Sequence, residues 1–477
     1  MKLDLTVLEP ALRTAVLEIA TAVKTAGGRA LMVGGSVRDL LAGERHVKDV
    51  DLEVFGLDAD RLQAVVGAKY AFDTCGLSFG VMKIKHFDID VSLPRRESKR
   101  GSGHKGFLID SDPSLCVREA ASRRDFTINA MYYDPLAEAF EDPYGGVPDL
   151  QNRILRHVSP KFVEDPLRVL RGMQFVARFD LTPAPETVAI CRTIEIEGLP
   201  PERLFEEWAK LLLKGVQIRK GLEFLRATGW VKYFPELANL IGCEQDPTWH
   251  PEGDVWNHTC LCLDAYARRR DEQGRNPDED LIVGLAVLCH DFGKPATSAY
   301  DPVKKHIRSL GHDTAGVEPT LSFLRRLTNE ERILKEVPPL VAAHMQPFAL
   351  WKGNVGDAAV RRLALKVGRI DRLIRVAHAD DEGRLPECLG GSSDGEDLRW
   401  LEATAERLRV AAAAPKPILM GRHLIEMGYR PSAQFKVWLD ACFEAQLEDR
   451  FHDLDGALAF FRTQVAPAAS GNAPAGS

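Results

Sequence analysis

The chain has 477 residues, and 62 lysines and arginines against 69 aspartates and glutamates give a formal net charge of −7. Its 45% hydrophobic and 27% charged residues exclude collagen, coiled coil and wholesale disorder, and the length suggests roughly three domains. The negative charge argues against a nucleic-acid binder that relies on bulk positive charge, but local basic surfaces remain compatible with it.

The cysteines and the apolar runs predict a cytoplasmic protein without a membrane segment. Nine cysteines, an odd number, are typical of a reducing compartment. Asp4 and Glu9 interrupt the stretch where a secretion signal would be basic and then apolar. Apolar runs such as 281–289 are about half the roughly 18 residues that suggest a bilayer span.

The first 150 residues predict one helix and several short strands. Apolar residues at helical spacing predict a helix over 10–26, which Gly27 and Gly28 end. The pattern then predicts a strand at 29–33, a tight turn at Gly34 and Gly35, a helix capped by Ser36 and ending at Leu41, a strand at 51–55 and a hairpin within 81–93.

The rest of the chain is predicted to be helical. Convincing strands stop after about Tyr133, and nearly every periodic segment from Pro166 onward has helical spacing. A small α/β head followed by an all-helical body is therefore expected. The tail from Val465, rich in alanine, proline, glycine and serine, is predicted to be disordered.

Glycines followed by aspartates form the first candidate site. Gly34 and Gly35 at a strand-to-helix turn let backbone amides approach a phosphate, and Arg38 adds a guanidinium one turn later. Asp49 and Asp51 leave the same face of an extended strand, where they can share divalent cations. Asp90 on a neighbouring strand is a third carboxylate, and the set suggests metal-assisted phosphoryl or nucleotidyl transfer.

The order of these motifs carries a family resemblance. The chain resembles the nucleotidyltransferase superfamily of DNA polymerase beta, and specifically the bacterial and eukaryotic class of tRNA nucleotidyltransferases (CCA-adding enzymes) with the related bacterial poly(A) polymerases. The matching segments are 33–39, 49–51, 95–97, 123–130, 142–146, 149–153 and 164–171.

The resemblance implies roles for individual residues. Asp49 and Asp51 would hold Mg²⁺ ions, with Asp90 as a less certain third carboxylate. One ion activates the RNA 3′-hydroxyl for attack on the α-phosphate, and the other neutralises the leaving pyrophosphate. The nucleotide-binding positions implied are Gly34, Gly35, Arg38, Arg124, Asp165, Arg168 and Arg171, with helix capping, surface ion pairing or an Arg124–Asp125 pair as the structural alternatives.

Asp165 and Arg168 bear on nucleotide choice. Three residues apart on a predicted helix, they share one face, and a carboxylate with a guanidinium can imitate a complementary base for cytosine or adenine. The alternative is an ordinary intrahelical ion pair. The chain departs from the family at Gln174, where an arginine is usual, so it supplies no charge to a phosphate there. Altered nucleotide contacts or addition of only part of CCA are then possible.

A set of histidines and aspartates forms the second candidate site. The ordered pattern resembles the HD superfamily of metal-dependent phosphohydrolases and the HD-bearing bacterial CCA enzymes, whose domain hydrolyses phosphomonoesters and 2′,3′-cyclic phosphodiesters. The implied ligands of a divalent transition metal or Mg²⁺ are His258, His290, Asp291, His312, His344 and Asp380. An HD fold retained only as a scaffold is the alternative.

A basic stripe predicts where RNA binds. Between 356 and 377, basic residues recur at three- and four-residue steps and apolar residues occupy the opposite face, which predicts one amphipathic helix. The RNA-binding candidates are Arg361, Arg362, Lys366 and Arg369, with a solvated charged face as the alternative. A basic loop at 98–106 lies beside the first site and is expected to close over primer and nucleotide.

Together these features predict an α/β nucleotidyltransferase head followed by an all-α neck, an HD body and a helical tail. The expected boundaries are 1–27 for an N-terminal helix, 28–150 for the head, 151–245 for the neck, 246–390 for the HD domain, 391–465 for the tail and 466–477 for a disordered end. The expected reaction adds CMP and AMP from CTP and ATP to a tRNA 3′ end. A poly(A) polymerase, a CC- or A-only enzyme, and an HD phosphohydrolase with a binding-only head are the alternatives.

Overall fold

The computed structural model describes residues 2–44, 47–73, 81–99, 107–112, 114–384 and 395–466, with only the backbone at 96–99 and 107–111. The chain divides into two compact units, Met1–Pro235 and Glu236–Ser477. The tail predicted to be disordered, beyond 466, and most of the basic loop at 98–106 lie outside the described residues.

The first unit is built on a mixed sheet. The strands described in this unit are β1 (Arg29–Val33), β2 (Val50–Phe55), β3 (Phe72–Asp73), β4 (Val81–Ile84), β5 (Ile89–Ser92), β6 (Arg95–Lys99), β7 (Phe107–Ser111), β8 (Tyr132–Asp134), β9 (Ala139–Glu141), β10 (Ile154–Leu155) and β11 (Thr182–Pro183). A seven-stranded sheet has the order β3-β4-β5-β2-β1-β8-β9. Within it, β2 and β5 run parallel and the other neighbouring strands are antiparallel.

Helices pack on this sheet and form the rest of the first unit. They are α1 (Pro10–Thr25), α2 (Gly35–Leu41), α3 (Ala59–Gly67), α4 (Val117–Ala121), α5 (Gly146–Gln151), α6 (Leu167–Phe179), α7 (Pro185–Cys191), α8 (Pro201–Lys214) and α9 (Ile218–Ala227). α1 begins where the Glu9 carboxylate accepts from the amides of Ala11 and Leu12. Its buried face, including Val16 and Ile19, packs into the sheet core. α6 packs against α8 and α9.

In its described residues, the second unit is helical apart from one hairpin. After α10 (Pro235–Ala238) at the boundary, its helices are α11 (Val255–Glu272), α12 (Pro277–Cys289), α13 (Lys294–Thr297), α14 (His312–Ala315), α15 (Val317–Leu327), α16 (Glu331–Val341), α17 (Gln346–Lys352), α18 (Asp357–Val367), α19 (Ile370–Glu382), α20 (Glu396–Arg407), α21 (Gly421–Glu426), α22 (Ala433–Leu447) and α23 (Leu454–Phe460). β12 (Ser298–Asp301) and β13 (His306–Ser309) form the antiparallel hairpin. Among the described residues, no helix has the length and apolar character needed to cross a membrane.

The structure confirms the predicted fold class and corrects several details. α2 starts at Gly35 with Gly34 at its cap, so Ser36 lies inside the helix and its Oγ donates to the Val33 carbonyl at 3.2 Å. Strands continue after Tyr133, including the hairpin of the second unit. The single helix expected over 356–377 is wrong, because Gly368, with φ +74°, separates α18 from α19. Glycine adopts a positive φ at a helix end with the least steric cost.

Candidate active sites

The turn between β1 and α2 carries the predicted phosphate cradle. Gly34 has a φ of +77°, and a Cβ atom at this position would lie 3.1 Å from Asp51 Oδ2. Glycine is therefore needed both for the backbone conformation and for the space beside the Asp51 carboxylate. The structure thus places the glycine turn directly against the predicted metal-binding strand.

The three predicted carboxylates of the head lie together. In the parallel register of β2 and β5, Asp51 stands beside Asp90, and Asp49 immediately precedes β2. Partial burial raises the pKa of Asp51, and Asp90 and Asp49 raise it further against the opposing charge of Arg124. Carboxylates that repel one another at short range are suited to share hard divalent cations.

Arg124 is held beside this cluster by residues that the motif analysis missed. Its Nη2 lies 3.5 Å from Glu53 Oε2, which also accepts a 2.6 Å hydrogen bond from the Tyr132 hydroxyl. Although burial opposes it, Tyr132, Glu53 and Asp51 raise the pKa of Arg124. Glu53 follows Asp51 by two positions on β2, so the strand period was the available signal. The pairing of Arg124 with Asp125, considered as the structural alternative to nucleotide binding, is absent from the described contacts.

Arg38 lies in a buried network rather than in the open turn. Its Nη1 donates to Asn129 Oδ1 at 2.6 Å, and its Nε donates to Asp39 Oδ1 at 2.8 Å. The guanidinium carbon is 4.4 Å from the centre of the Phe179 ring, and the residue is only 4% exposed. Burial lowers the pKa of Arg38 despite the opposing effect of Asp39. Its contact with a triphosphate stays a prediction.

Asp165 and Arg168 do not form the intrahelical pair considered as an alternative. Asp165 precedes α6 in an extended conformation, where its Oδ1 accepts from the Leu167 amide at 3.1 Å. Its Oδ2 lies 3.3 Å from Nη2 of Arg203 on α8. Arg168 instead donates to the carbonyl oxygens of Arg123 and Lys161, at 2.5 and 2.9 Å. The prediction that Asp165 lies on the helix is therefore wrong, although both side chains stay near the start of α6.

Arg171 and Gln174 line the next turn of α6. Arg171 makes a two-pronged contact with Asp125 Oδ2, from Nε at 2.8 Å and from Nη2 at 2.7 Å. Although burial opposes it, Arg171 and the Asn129 side chain lower the pKa of Asp125 to about 2. Gln174 is 2% exposed, and its Oε1 has no hydrogen-bond partner among the described residues. The position where the family usually has arginine is thus buried and neutral.

The second unit brings the predicted metal-ligand set into one buried cluster. Its members are His258 on α11, His290 and Asp291 after α12, His312 at the start of α14, His344 after α16 and Asp380 on α19. Most of them stand at helix ends. A side chain at a helix terminus can point into the cluster while the apolar body of the helix packs in the surrounding core. The sequence order of the set is therefore converted into a single site.

Every histidine of this cluster is oriented through its Nδ1 atom. His258 Nδ1 lies 2.9 Å from Glu252 Oε1. The carbonyl oxygens of Val287, Ser309 and Val341 lie 2.7 Å from the Nδ1 atoms of His290, His312 and His344, respectively. A carbonyl or carboxylate only accepts, so Nδ1 carries the proton of the neutral ring and Nε2 keeps its lone pair. Ligating histidines are held in this way.

Asp291 lies at the centre of the cluster. Its Oδ2 is 3.3 Å from His290 Nε2 and 3.8 Å from His258 Nε2, and its Oδ1 is 3.5 Å from His312 Nε2. The Nε2 atoms of His312 and His344 are 3.1 Å apart. Lys294 Nζ lies 2.7 Å from Asp291 Oδ2, whereas Asp291 Oδ1 and His290 Nε2 are buried without a hydrogen-bond partner among the described residues. Facing lone pairs and an unpartnered buried carboxylate oxygen fit a divalent cation, which would satisfy them together.

Comparisons with known proteins agree with this geometry. A family model described as the poly A polymerase head domain matches residues 30–156, and one described as the probable RNA and SrmB- binding site of polymerase A matches residues 180–241. The multifunctional CCA protein of Xanthomonas campestris pv. campestris (strain B100) is 35% identical over 390 residues, covering 78% of this chain and 90% of the relative. The chain belongs to the multifunctional CCA protein family.

Other members and solved structures extend the comparison. The multifunctional CCA protein of Xylella fastidiosa (strain 9a5c) is 36% identical over 395 residues, covering 79% of this chain and 89% of that relative. The fold is similar to that of the Bacillus stearothermophilus CCA-adding enzyme in complex with CTP, with 22% identity, a TM-score of 0.63, and coverage of 95% of this chain and 97% of that one. The predicted enzyme class, a CCA-adding tRNA nucleotidyltransferase, is confirmed by this membership.

The histidine cluster also has partners that the sequence pattern did not reveal. Glu252 Oε1 joins His258 to His250, whose Nδ1 lies 2.8 Å away. Although burial opposes it, hydrogen bonds from His250 and His258 lower the pKa of Glu252 to about 2. Lys294 Nζ lies 2.7 Å from Asp291 Oδ2. The spacing of Lys294, four residues after His290 and close to the end of α12, could have indicated its place in the cluster. No spacing in the sequence indicated Glu252.

The basic face predicted to bind RNA is occupied by carboxylates and carbonyls of the same unit. Arg362 Nη2 lies 3.0 Å from both Glu444 and Glu448. The other contacts are Arg361 Nη2 to Asp449 Oδ1 at 2.7 Å, Lys366 Nζ to the Ala342 carbonyl at 2.9 Å, and Arg369 Nη1 to Glu279 Oε1 at 3.1 Å. These contacts favour a structural role in joining helices of the second unit.

Proposed function

We propose that the first unit adds CMP and AMP from CTP and ATP to the 3′ end of tRNA at Asp49, Asp51 and Asp90. The carrying observation is the placement of Asp51 between Asp90 on β5 and the Gly34 turn. Mg²⁺ ions held by these carboxylates would supply charge to the triphosphate and to the attacking hydroxyl. Cytoplasmic location is part of the proposal, and the free thiols of the described cysteines support it.

The transfer step needs little from the protein beyond alignment and charge. The RNA 3′-oxygen forms a bond to the α-phosphorus, the bond from that phosphorus to the bridging oxygen breaks, and the electron pair leaves with pyrophosphate. The hydroxyl proton passes to solvent. Arg124, anchored by Glu53, supports the phosphates, and the Gly34 turn lets them approach the carboxylates. Asp165 and Arg168 near the start of α6 are proposed to read the base edge.

Nucleotide addition tests the first proposal directly. Purified protein is incubated with tRNA transcripts ending before CCA, after the first C and after the second C, with one labelled nucleotide at a time. Full CCA addition gives two cytidines and then one adenosine. A CC-only, an A-only or a poly(A) pattern replaces that assignment with the corresponding alternative. Asp49→Ala should reduce addition at least about a hundredfold, whereas exposed Asp88→Ala should not.

We further propose that the second unit is a metal-dependent phosphohydrolase. The single observation that supports it is the convergence of Nε2 lone pairs on Asp291, whose Oδ1 has no hydrogen-bond partner among the described residues. A divalent transition metal or Mg²⁺ in this cluster would supply an activated water and polarise a phosphoryl oxygen. In a 2′,3′-cyclic phosphodiester, the water oxygen bonds to phosphorus, one ribose oxygen leaves and takes a proton, and a phosphomonoester results.

Metal loading and hydrolysis are measured on the same protein. Metal-free protein is titrated with Mn²⁺, Ni²⁺, Co²⁺ and Mg²⁺, and release of product from 2′,3′-cyclic AMP is followed. Asp291→Ala should abolish hydrolysis while leaving tRNA extension unchanged. Asp278→Ala, a substitution of an 84% exposed side chain, is the matched control. Hydrolysis that survives in Asp291→Ala would remove this activity from the cluster and leave the scaffold alternative.

A further inference from the structure

A partly open cavity leads from the histidine cluster to the protein surface. Its volume is about 180 Å³, and its walls include Asp291, His312 and His344 of the cluster. The indole of Trp249, 49% exposed, forms part of its lining together with Ile307. This large aromatic side chain is half exposed to solvent beside the histidine cluster, so part of its ring surface does not pack against the rest of the fold.

The β12–β13 hairpin extends this aromatic surface outward. Directly opposed residues of an antiparallel pair lie on the same face, and here Ser298 faces Ser309 while Tyr300 faces Ile307. Ile307 and Ser309 line the cavity, so Tyr300 lies on the cavity side of the hairpin. It is two residues beyond Ser298, or about 7 Å farther along the strand toward the hairpin turn. Tyr300 is 62% exposed.

The turn that carries Trp249 is attached to the same hairpin. The Asp246 carbonyl accepts from the Trp249 amide at 3.1 Å, and its carboxylate accepts from the Thr248 amide at 2.9 Å. His306 Nδ1 on β13 lies 3.9 Å from Asp246 Oδ2. Trp249 and the hairpin are therefore parts of one platform rather than two independent loops.

Positive charge stands at both ends of this platform. At the inner end, Lys294 Nζ lies 2.7 Å from Asp291 Oδ2, and Arg384 Nη2 lies 3.5 Å from Asp380 Oδ1. At the outer end, Lys304 and Lys305 occupy the exposed hairpin turn, and neither forms an ion pair with a described side chain. An aromatic surface between two groups of cations matches the alternation of bases and phosphates in a single strand.

We propose that Trp249 and Tyr300 form a stacking track for a single-stranded RNA 3′ end, which directs the terminal phosphate of that RNA into the histidine cluster. The inference rests on the proposed phosphohydrolase and specifies its substrate class as polymeric RNA rather than a free nucleotide. Bases stack on the two rings, while Lys304 and Lys305 attract the phosphates that follow. Stacking tolerates any base, so the track reads the strand without selecting its sequence.

The test compares two substrates of the full-length protein loaded with Mn²⁺. One is a short oligoribonucleotide ending in a 2′,3′-cyclic phosphate, and the other is glycerol 1,2-cyclic phosphate, a cyclic phosphodiester that has no aromatic ring to stack. The variants are Trp249→Ala, Tyr300→Ala and Trp249→Phe. Val303→Ala is the control, because Val303 is 88% exposed in the same hairpin turn but has no aromatic face.

Loss of one stacked base is expected to raise KM for the oligoribonucleotide about tenfold in Trp249→Ala and in Tyr300→Ala. The kcat/KM for glycerol 1,2-cyclic phosphate should stay at the wild-type value in both variants. Trp249→Phe should recover most of the RNA effect, and Val303→Ala should behave as wild type. Equal losses on both substrates, or no loss on RNA, would overturn the stacking track.

Failure of the proposed hydrolase is distinguishable from failure of the track. A wild-type protein that hydrolyses neither substrate removes the phosphohydrolase proposal. Fluorescence anisotropy of a labelled oligoribonucleotide then decides the track, since the nucleotidyltransferase unit is identical in wild type and variants. Weaker RNA binding by Trp249→Ala supports the track, and equal affinities overturn it.

Discussion

Glu252 offers a sharp test of how the histidine cluster is organised. Its Oε1 lies 2.8 Å from His250 Nδ1 and 2.9 Å from His258 Nδ1, and its side chain is 1% exposed. Oε1 accepts both hydrogen bonds, which leaves His258 Nε2 and Asp380 Oδ1, 3.0 Å apart, available as two ligands of one cation. Glu252→Gln keeps the size of the side chain and one acceptor oxygen, but it removes the charge and puts an amide donor in place of the buried Oε2, which has no hydrogen-bond partner among the described residues.

The expected loss can be bounded. Substitution of a group that orients a metal ligand typically lowers metal affinity or activity by about 10- to 100-fold, equivalent to about 1.4–2.7 kcal/mol at 25 °C. Because the ligand itself remains in Glu252→Gln, we expect weakened Mn²⁺ binding rather than its abolition. Glu252→Ala should lie at the upper end of the range, since it also leaves two buried N–H groups without an acceptor.

Isothermal titration of metal-free protein with Mn²⁺ measures the effect, and exposed Glu244→Gln is the matched control. Far-UV circular dichroism of the same samples verifies that the helical second unit is folded, because tRNA extension reports on carboxylates of the first unit. Unchanged Mn²⁺ affinity in Glu252→Gln would refute the idea that this carboxylate orients His258. A loss of helical signal would instead indicate unfolding.

Three further predictions concern other parts of the chain. Gly34→Ala forces a side chain into a φ of +77° and 3.1 Å from Asp51 Oδ2, at about 1–3 kcal/mol, so nucleotide addition should fall at least about tenfold while 2′,3′-cyclic AMP hydrolysis persists. Asp125, with a pKa lowered to about 2, stabilises the fold above its unfolded pKa near 3.8. Its contribution, about 2 kcal/mol, should fade as pH falls toward 2, so the urea midpoint of Asp125→Asn should lie below wild type at pH 7 and the gap should narrow at pH 3.5. Arg362→Ala should leave tRNA affinity in a filter-binding assay unchanged, because this arginine pairs with Glu444 and Glu448; a several-fold loss would restore the RNA-binding role.

Sequence patterns predicted the parts of the sites that depend on local spacing. The two-residue period placed Asp49 and Asp51 on one strand face, and the strand pairing that brings Asp90 to Asp51 follows from two short apolar strands. The ordered histidines and aspartates, through their resemblance to the HD superfamily, likewise predicted the side chains that the structure brings together in the second unit. Their role as metal ligands stays a prediction.

Residue spacing in the sequence could not predict contacts between distant segments. Asp165 was expected on a helix, but Pro166 follows it, and the residue before a proline is displaced from helical backbone angles. Its partner Arg203 comes from another helix, 38 positions away. The hairpin at 298–309 was missed because its strands are four residues long and carry charged residues. Short polar strands show no clear alternation.

The way in which the cluster histidines are anchored makes them unequal under mutation. His290, His312 and His344 each rest on the carbonyl of the residue three positions earlier, a group that every amino acid supplies. Substitutions at Val287, Ser309 or Val341 leave those anchors chemically intact. His258 alone among the four depends on a side chain, that of Glu252. Among these four hydrogen bonds, a side-chain substitution can therefore remove only the one to His258. If evolution weakens this metal site, the first substitution is expected at position 252.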